Sequence, residues 1–237
     1  MSRAFPSPPQ AVLLDVGGIF FIPSHDRILG AFARAGLAPP AAILDRAHYV
    51  GARAFPADDS EFDWAKRWAA YLDAYVTECG TPDDLRGDVH EHLDSEFADA
   101  GLWLREIPGA REGMQALAAT GVRLGIISNA DGLIAQRLAE LEILQVGPGV
   151  GVPVECVIDS GAVGVMKPDP RIFRLALDAM AITPADAWYV GDMPGIDVVG
   201  ARAAELHPVL MDPYELHLEA DYDRVSSLSE LAAVVGA

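Results

Sequence analysis

The segment from residue 11 to residue 22, AVLLDVGGIFFI, constrains the fold of this chain more than any other. It begins with four uncharged apolar residues, which is typical of a strand buried on both faces of a parallel sheet. Asp15 follows directly and would lie at the carboxyl end of that strand. Ligands of open α/β sheets bind at this edge, because the loops that leave the strands there line a crevice. Taken alone, the segment is equally compatible with a tight turn that Asp15 caps.

Composition narrows the class of protein. The 237 residues are 51% hydrophobic and 22% charged, which indicates a folded globular chain rather than a disordered one. The length allows one large α/β domain, or a core of about 150 residues with a smaller appended domain. The net charge of −18 argues against a nucleic-acid or anionic-membrane partner, since both require a basic face. An anionic substrate would therefore need local positive charge or a metal ion.

The remaining global features favour a cytoplasmic protein. The two cysteines, Cys79 and Cys156, lack metal-ligand spacing. They are compatible with one disulfide, but two thiols in a reducing compartment are the preferred expectation. Residues 1–10 are too poor in apolar side chains for a signal peptide and are expected to form a flexible tail. No apolar run reaches the length that a membrane span requires.

Residues 23–100 read as helices separated by Pro, Gly and Asp breaks. The predicted helices are His25 to Gly36, Pro39 to Phe55, Ser60 to Cys79 and Pro82 to Ala100. In the third, Trp64, Trp68, Leu72 and Tyr75 or Val76 share one face. Such a stripe is more often the core of a helical unit than the lining of a substrate pocket, and both interpretations stay open at this point.

From Gly101 onward strands and helices alternate. The predicted strands are Val122 to Ile127, Pro153 to Ile158, Ala187 to Val190 and Val209 to Met211; the predicted helices are Ala110 to Ala119, Leu133 to Leu141, Pro170 to Met180 and Asp197 to Ala204. This rhythm predicts an α/β fold, a Rossmann-like, mostly parallel sheet with helices on both faces. The first strand belongs to the same sheet, so the core would comprise residues 11–22 and 101–237, with residues 23–100 inserted as a helical segment.

Polar residues follow three of the predicted strands. Asp15 ends the first, Ser128 and Asn129 end another, and Asp192 follows Gly191 after a third. The carboxyl ends of parallel strands meet at one edge, so these side chains should converge. Lys167 stands just before a predicted helix start, which is itself electropositive. Carboxylates, a hydroxyl, an ammonium and a helix dipole together suit phosphoryl transfer with Mg²⁺.

Four segments in this order make the chain similar to one known superfamily. They are LLDVGGIF from Leu13, LGIISNAD from Leu124, VGVMKPDPRIF from Val163 and WYVGDMPGIDVVGA from Trp188. Together they resemble the motifs of the haloacid dehalogenase-like (HAD) hydrolases. The helical segment occupies the place of that family's α-helical cap, inserted after the first motif.

The resemblance implies a catalytic role for two residues and a metal site. Asp15 resembles the nucleophile that takes up the transferred group as an acyl phosphate, a covalent step that divides one difficult displacement into two. Lys167 resembles the lysine that serves catalysis and binds the phosphate. The Mg²⁺ ligands would be Asp15, the backbone carbonyl of Gly17 and Asp192.

The resemblance also implies substrate ligands and one supporting residue. Ser128, Asn129 and Lys167 are expected to bind the phosphate, and Asp197 is expected to support either Asp192 or Lys167.

One position departs from the family pattern. Phosphatases of this family usually carry D-x-D-x-T, whereas this chain has Gly17 in place of the second aspartate. That aspartate serves as general acid and base, whose loss typically costs about 10²–10⁴-fold in rate. A glycine still provides the backbone carbonyl for the metal. His25 is a candidate substitute for the missing acid, although a surface histidine is the preferred interpretation.

The sequence therefore predicts a Mg²⁺-dependent phosphatase that acts on a small phosphorylated metabolite. Two alternatives remain: a metal-independent haloacid dehalogenase, and a catalytically impaired member that binds a ligand or partner. The substrate's identity and the oligomeric state are left open.

Overall fold

The computed structural model of the chain describes residues 5–55 and 63–237. The strands are β1 (Ala11–Leu14), β2 (Phe21–Ile22), β3 (Arg105–Glu106), β4 (Arg123–Ser128), β5 (Leu144–Val146), β6 (Val152–Val154), β7 (Cys156–Asp159), β8 (Ala187–Gly191), β9 (His207–Met211) and β10 (Asp223–Val225). Six of them form one sheet in the order β10-β9-β8-β1-β4-β7, and every neighbouring pair is parallel. The α/β fold predicted from the sequence is confirmed.

Helices cover both faces of this sheet. The α-helices are α1 (His25–Arg34), α2 (Ala41–Arg53), α3 (Trp64–Glu78), α4 (Arg86–Phe97), α5 (Ala110–Ala119), α6 (Ile134–Glu140), α7 (Ser160–Val163), α8 (Pro170–Met180), α9 (Val199–Ala203) and α10 (Leu228–Val235). Alternate residues of β1 enter opposite cores: Val12 and Leu14 join the one that includes α5 and α10, and Ala11 and Leu13 join the one that includes α8. All four are fully buried, which explains the charge-free sequence of this strand.

Helices α1 to α4 lie between β2 and β3, the two short strands through which the chain leaves and re-enters the region of the sheet. These strands pair antiparallel, with Phe21 opposite Glu106 and Ile22 opposite Arg105. The helices share a third core, which also takes in Ile196 from the loop after β8. The division into a core and a cap with the boundaries given above remains a prediction.

The helix predicted from Ser60 extends partly outside the described residues, since residues 60–62 lie in the gap. The same holds for residues 1–4 of the predicted tail. Phe5, by contrast, stacks on Trp188 with ring centroids 5.5 Å apart, and the backbone N–H of Gln10 donates to the carbonyl of Asp186. This part of the predicted tail therefore contacts the sheet.

Several sequence-based boundaries were wrong. The single strand predicted from Pro153 to Ile158 is two strands, because β6 pairs with β5 in a separate two-stranded sheet while β7 pairs with β4. An apolar run does not reveal that its two halves have different partners. The helix predicted to run to Leu141 ends at Glu140, Glu142 adopts a positive φ of 55°, and Leu141 is 41% exposed.

Other elements were missed. The helix predicted from Asp197 starts earlier, with a wide π-helical turn from Pro194 to Val198 that leads into α9. Strands β2, β3, β5 and β10 and helix α10 were not predicted. All four of these strands are two or three residues long, too short to show an alternating pattern.

Two findings bear on the expectations drawn from composition. Cys156 is buried, Cys79 is half-buried, and both are free thiols. Among the described residues, no helix is both long and apolar enough to cross a bilayer.

Candidate active site

The carboxyl ends of three adjacent strands place the predicted side chains together. β1 lies between β8 and β4, and Leu14 pairs with Val190 on one side and with Ile126 on the other. Asp15, Ser128 and Asp192 therefore emerge side by side at one edge of the sheet, and all three line a cavity of about 640 Å³.

Lys167 is the centre of this group. Its ammonium lies 2.7 Å from Asp15 Oδ2 and 2.8 Å from Asp197 Oδ1, and it donates to the hydroxyl of Tyr189 at 2.8 Å. The side chain is only 1% exposed. Although Lys167 is remote in sequence from Asp15, its ammonium is held in the site by the carboxylates of Asp15 and Asp197 and by the hydroxyl of Tyr189.

The backbone of Lys167 is fixed by Asn129. The Asn129 side chain accepts from the N–H of Lys167 at 2.8 Å and donates to its carbonyl oxygen at 3.1 Å. Asn129 was predicted to bind substrate, and it does border the cavity. Both ends of its amide are engaged by the lysine backbone, which fixes the main chain at Lys167; that Asn129 binds substrate stays a prediction.

Asp197 contacts both residues that it was expected to support. Its Oδ1 receives the ammonium of Lys167 and the hydroxyl of Tyr189, the latter at 3.0 Å. Its Oδ2 accepts from the backbone N–H groups of Asp192 and Met193, at 3.1 and 2.9 Å. The π-helical turn that carries Asp197 therefore ties the loop after β8 to the lysine.

Burial makes this site electrostatically costly. The pKa of Asp15 is raised to about 7, chiefly because burial disfavours the charged form, while Lys167 opposes the shift. Burial also raises the pKa of Asp192. The pKa of Lys167 is raised, because two carboxylates outweigh the burial of its charge. Asp15 and Asp197 share the ammonium of Lys167, and Asp192 lies next to them beside His48, so three acidic side chains are crowded around one lysine.

The donor set fits a divalent cation. One oxygen each from Asp15, Asp192 and Asp197 lies within 4.8 Å of the others, and no other such cluster of acids, histidines or cysteines occurs in residues 5–55 and 63–237. Asp192 Oδ2 is buried without a hydrogen-bond partner. The backbone pairing between Gly17 and Phe21 uses the carbonyl of Val16 and the N–H of Gly18, so the Gly17 carbonyl stands outside it. These oxygens are the ligand type that Mg²⁺ takes.

His48 is a site residue that sequence reasoning missed. It lies on α2, is 0% exposed, and its Nε2 approaches Asp192 Oδ2 to 3.0 Å. The two atoms are poorly aligned for a hydrogen bond, whereas Nδ1 is 2.9 Å from the Tyr71 hydroxyl. The available signal was a histidine on the otherwise apolar face of a helix, near Leu44 and Ala52.

The two glycines after Asp15 differ in their surroundings. A Cβ on Gly17 would lie 3.6 Å from the Trp103 indole, an ordinary contact. Gly18 has a φ of +65°, and a Cβ there would lie 2.2 Å from the carboxyl carbon of Asp192. Gly18 is therefore required by backbone geometry and by the close approach of Asp192, whereas Gly17 leaves space that Trp103 borders.

His25 does not border the cavity. Its ring pairs with Asp45, which also contacts Arg105. The residues that line the cavity in the described chain include neither His25 nor Asp45. The structure therefore gives no support to His25 as the replacement acid.

Comparison with known proteins assigns the chain to a family of hydrolases. A family model described as haloacid dehalogenase-like hydrolase matches residues 10–205. The chain is 33% identical over 133 residues to the mouse haloacid dehalogenase-like hydrolase domain-containing protein 3, covering 56% of this chain and 50% of the relative. It is 36% identical over 125 residues to phosphoglycolate phosphatase of Rhodospirillum rubrum, covering 53% and 47%.

The solved structures extend the likeness to the whole fold. A dehalogenase crystal structure matches with a TM-score of 0.56 at 19% identity and covers 98% of this chain and 100% of its own. At this identity the match shows the fold alone. The chain spans about half the length of the two curated relatives. Because the family model covers most of the chain, including all four motif segments, the protein belongs to the haloacid dehalogenase-like hydrolases.

Proposed function

We propose that this hydrolase is a Mg²⁺-dependent phosphatase that acts on a small phosphorylated metabolite through an aspartyl-phosphate on Asp15. The observation that carries the proposal is the cluster of three buried carboxylates, of which Asp15 and Asp197 pair with Lys167 while Asp192 Oδ2 has no hydrogen-bond partner. A divalent cation held by Asp15 and Asp192 would relieve the repulsion among these carboxylates. Several relatives carry phosphatase names, among them the Rhodospirillum rubrum protein.

The side chains divide the work as follows. Asp15, Asp192 and the Gly17 carbonyl would hold Mg²⁺, which when bound would neutralise charge on the phosphoryl oxygens. Lys167 and Ser128 would bind the same oxygens, the lysine by charge and the serine by its hydroxyl. Asn129 and Asp197 would hold Lys167 in place.

Two displacements complete the reaction. A carboxylate oxygen of Asp15 bonds to phosphorus as the ester O–P bond breaks, and the alcohol leaves with a proton. Water then attacks phosphorus in the acyl phosphate, which releases inorganic phosphate and restores Asp15. No carboxylate stands at position 17 to donate a proton to the alcohol and to remove one from the water, so solvent would supply the first proton and take up the second. A positioned acid/base is typically worth about 10²–10⁴-fold, so turnover is expected to be slow.

Phosphate release from a panel of phosphomonoesters, with Mg²⁺ or with a chelator, tests this function. Wild-type protein should release phosphate only with Mg²⁺, and Asp15→Asn should release none while it keeps the wild-type circular dichroism spectrum. Release of halide from 2-haloacids in the presence of chelator would instead show a dehalogenase. Ligand binding without turnover of either substrate class would show an impaired member.

A further inference from the structure

The cavity above Asp15 has an apolar wall. The large apolar side chains that line it include Trp64, Trp68, Phe97, Trp103, Leu104 and Met166. Leu104 and Met166 are each 50% exposed, and Trp64 is 41% exposed. Large apolar surface left open around a concave site is typical of ligand binding.

This wall is held in a fixed arrangement. Trp68 stacks on Tyr71 with an interplanar angle of 6° and ring centroids 4.7 Å apart. Phe97 meets Trp68 edge-on at 5.1 Å and Trp103 at 5.9 Å. The Trp68 indole N–H also donates to Asp94 at 3.2 Å. Rings fixed in this way lose little conformational freedom when an apolar group packs on them.

The part of the cavity lining that the structure describes offers no spare positive charge. This part contains five aspartates but only two cations, Lys167 and Arg137. Arg137 is occupied by Asp131, to which it donates two hydrogen bonds of 2.8 and 2.7 Å. Lys167 is occupied by Asp15 and Asp197 and faces the proposed phosphoryl site. A second anionic group on the substrate would therefore lose its hydration without gaining a partner.

We infer that the substrate is a phosphomonoester whose organic group is uncharged and apolar or aromatic, without a second anion. This inference rests on the proposed phosphatase function and adds the substrate class to it. The inference excludes phosphoglycolate as the substrate, because phosphoglycolate carries a carboxylate in addition to its phosphate. The phosphoryl group would lie against Lys167, and the organic group would pack on Trp68, Phe97 and Trp103.

The test compares benzyl phosphate with 2-phosphoglycolate, both esters of primary alcohols. The expected kcat/KM for benzyl phosphate is at least about tenfold higher, the scale on which one misplaced group is rejected by a pocket. A higher value for phosphoglycolate would overturn the substrate class while it upholds the phosphatase function. If neither ester is hydrolysed but other members of the phosphomonoester panel are, the substrate class is overturned and the phosphatase function stands. If no member of the panel is hydrolysed, the phosphatase function fails, and binding of the non-hydrolysable benzylphosphonate and phosphonoacetate then decides the substrate class. Tighter binding of benzylphosphonate supports the inference, and tighter or equal binding of phosphonoacetate overturns it.

A matched pair of variants locates the preference in the cavity. Leu104→Lys places a cation in the apolar wall, whereas Leu218→Lys makes the same change at a side chain that is 66% exposed and does not line the cavity. Leu104→Lys should shift the ratio of the two kcat/KM values towards phosphoglycolate by about tenfold. Leu218→Lys should leave the ratio at its wild-type value. Equal ratios in wild type and both variants would show that charge in this cavity does not select the substrate.

Discussion

Replacement of Asp192 by asparagine should have opposite effects on metal binding and on stability. The side chain is 3% exposed, and Gly18 packs closely against its carboxyl carbon, so a larger side chain would clash at this position. Asparagine has nearly the same shape, so Asp192→Asn removes the charge without creating a cavity. The variant should bind Mg²⁺ less tightly than wild type. Without metal, its free energy of unfolding should be higher than that of wild type.

The size of both effects, on unfolding free energy and on Mg²⁺ affinity, follows from the distances between the carboxylates. Oxygens of Asp15, Asp192 and Asp197 lie within 4.8 Å of one another. Two like unit charges at that separation repel by about 3 kcal/mol when the effective dielectric constant is about 20. Asparagine would remove the repulsion from both Asp15 and Asp197, and Lys167 and His48 already offset part of it, so the net gain in unfolding free energy should be about 3 kcal/mol, the scale of one pair. The attraction lost by a divalent ion is at least as large, so the Kd for Mg²⁺ should rise by about a hundredfold or more.

Isothermal titration with Mg²⁺ and urea unfolding in chelator measure the two effects. Asp83→Asn serves as the control for simple loss of one negative charge, since the Asp83 side chain is 93% exposed. It should change neither quantity measurably. A wild-type Mg²⁺ affinity in Asp192→Asn would place the ion elsewhere. A loss of stability in chelator would show that the carboxylate of Asp192 is held by favourable contacts rather than by the metal.

Two further variants test the rest of the site. Lys167→Met leaves Asp15 and Asp197 buried without their cation, so the free energy of unfolding in urea should fall by about 3–5 kcal/mol and turnover should cease; a variant as stable as wild type would contradict the charge arrangement. Gly17→Asp should fold, because its Cβ would meet only the Trp103 ring at ordinary contact distance. In single-turnover assays this variant should release phosphate faster from an alkyl phosphate, by at most about 10²–10⁴-fold. It should change the rate little for an aryl phosphate, whose leaving group needs less protonation. Equal rates for the variant and wild type on both substrates would show that proton transfer does not limit turnover.

The sequence predicted the elements whose signals are local. The run Ala11–Leu14 is charge-free because both faces of β1 are buried, and helix α8 begins where Asp169 and Pro170 predict it, with Asp169 accepting from the N–H of Arg171 at 2.9 Å. The approach of Lys167 to Asp15 came from the family resemblance together with the rule that parallel strands end at one edge. Local patterns also gave the limits of α5 correctly.

The residues that sequence reasoning missed depend on packing between distant elements. His48 and Trp103 approach the site only because helices α1 to α4 lie over the edge of the sheet. Tyr189 occupies a strand position that would suit any large apolar residue, and its hydroxyl acquires a role only through Lys167 and Asp197. No spacing rule connects these side chains with Asp15.

The apolar face of α3 also shows that a sequence pattern does not reveal packing between distant elements. Trp68 and Leu72 share the predicted face of α3, yet Leu72 is in the core while Trp68 lines the cavity. Periodicity identified the face, but it did not show where along the helix the core ends and the cavity begins. That boundary is set by Phe97 and Trp103, which belong to other segments.

The central claim is that Asp15 becomes phosphorylated during turnover, and rapid acid quenching followed by peptide mass spectrometry tests it most directly. Wild-type protein mixed with benzyl phosphate and Mg²⁺ should yield the peptide that contains Asp15 with one added phosphoryl group, labile to hydroxylamine as an acyl phosphate is. The modification should be absent in chelator and in Asp15→Asn. Phosphate release at the wild-type rate with no such peptide, or with the phosphoryl group on another residue, would contradict the account.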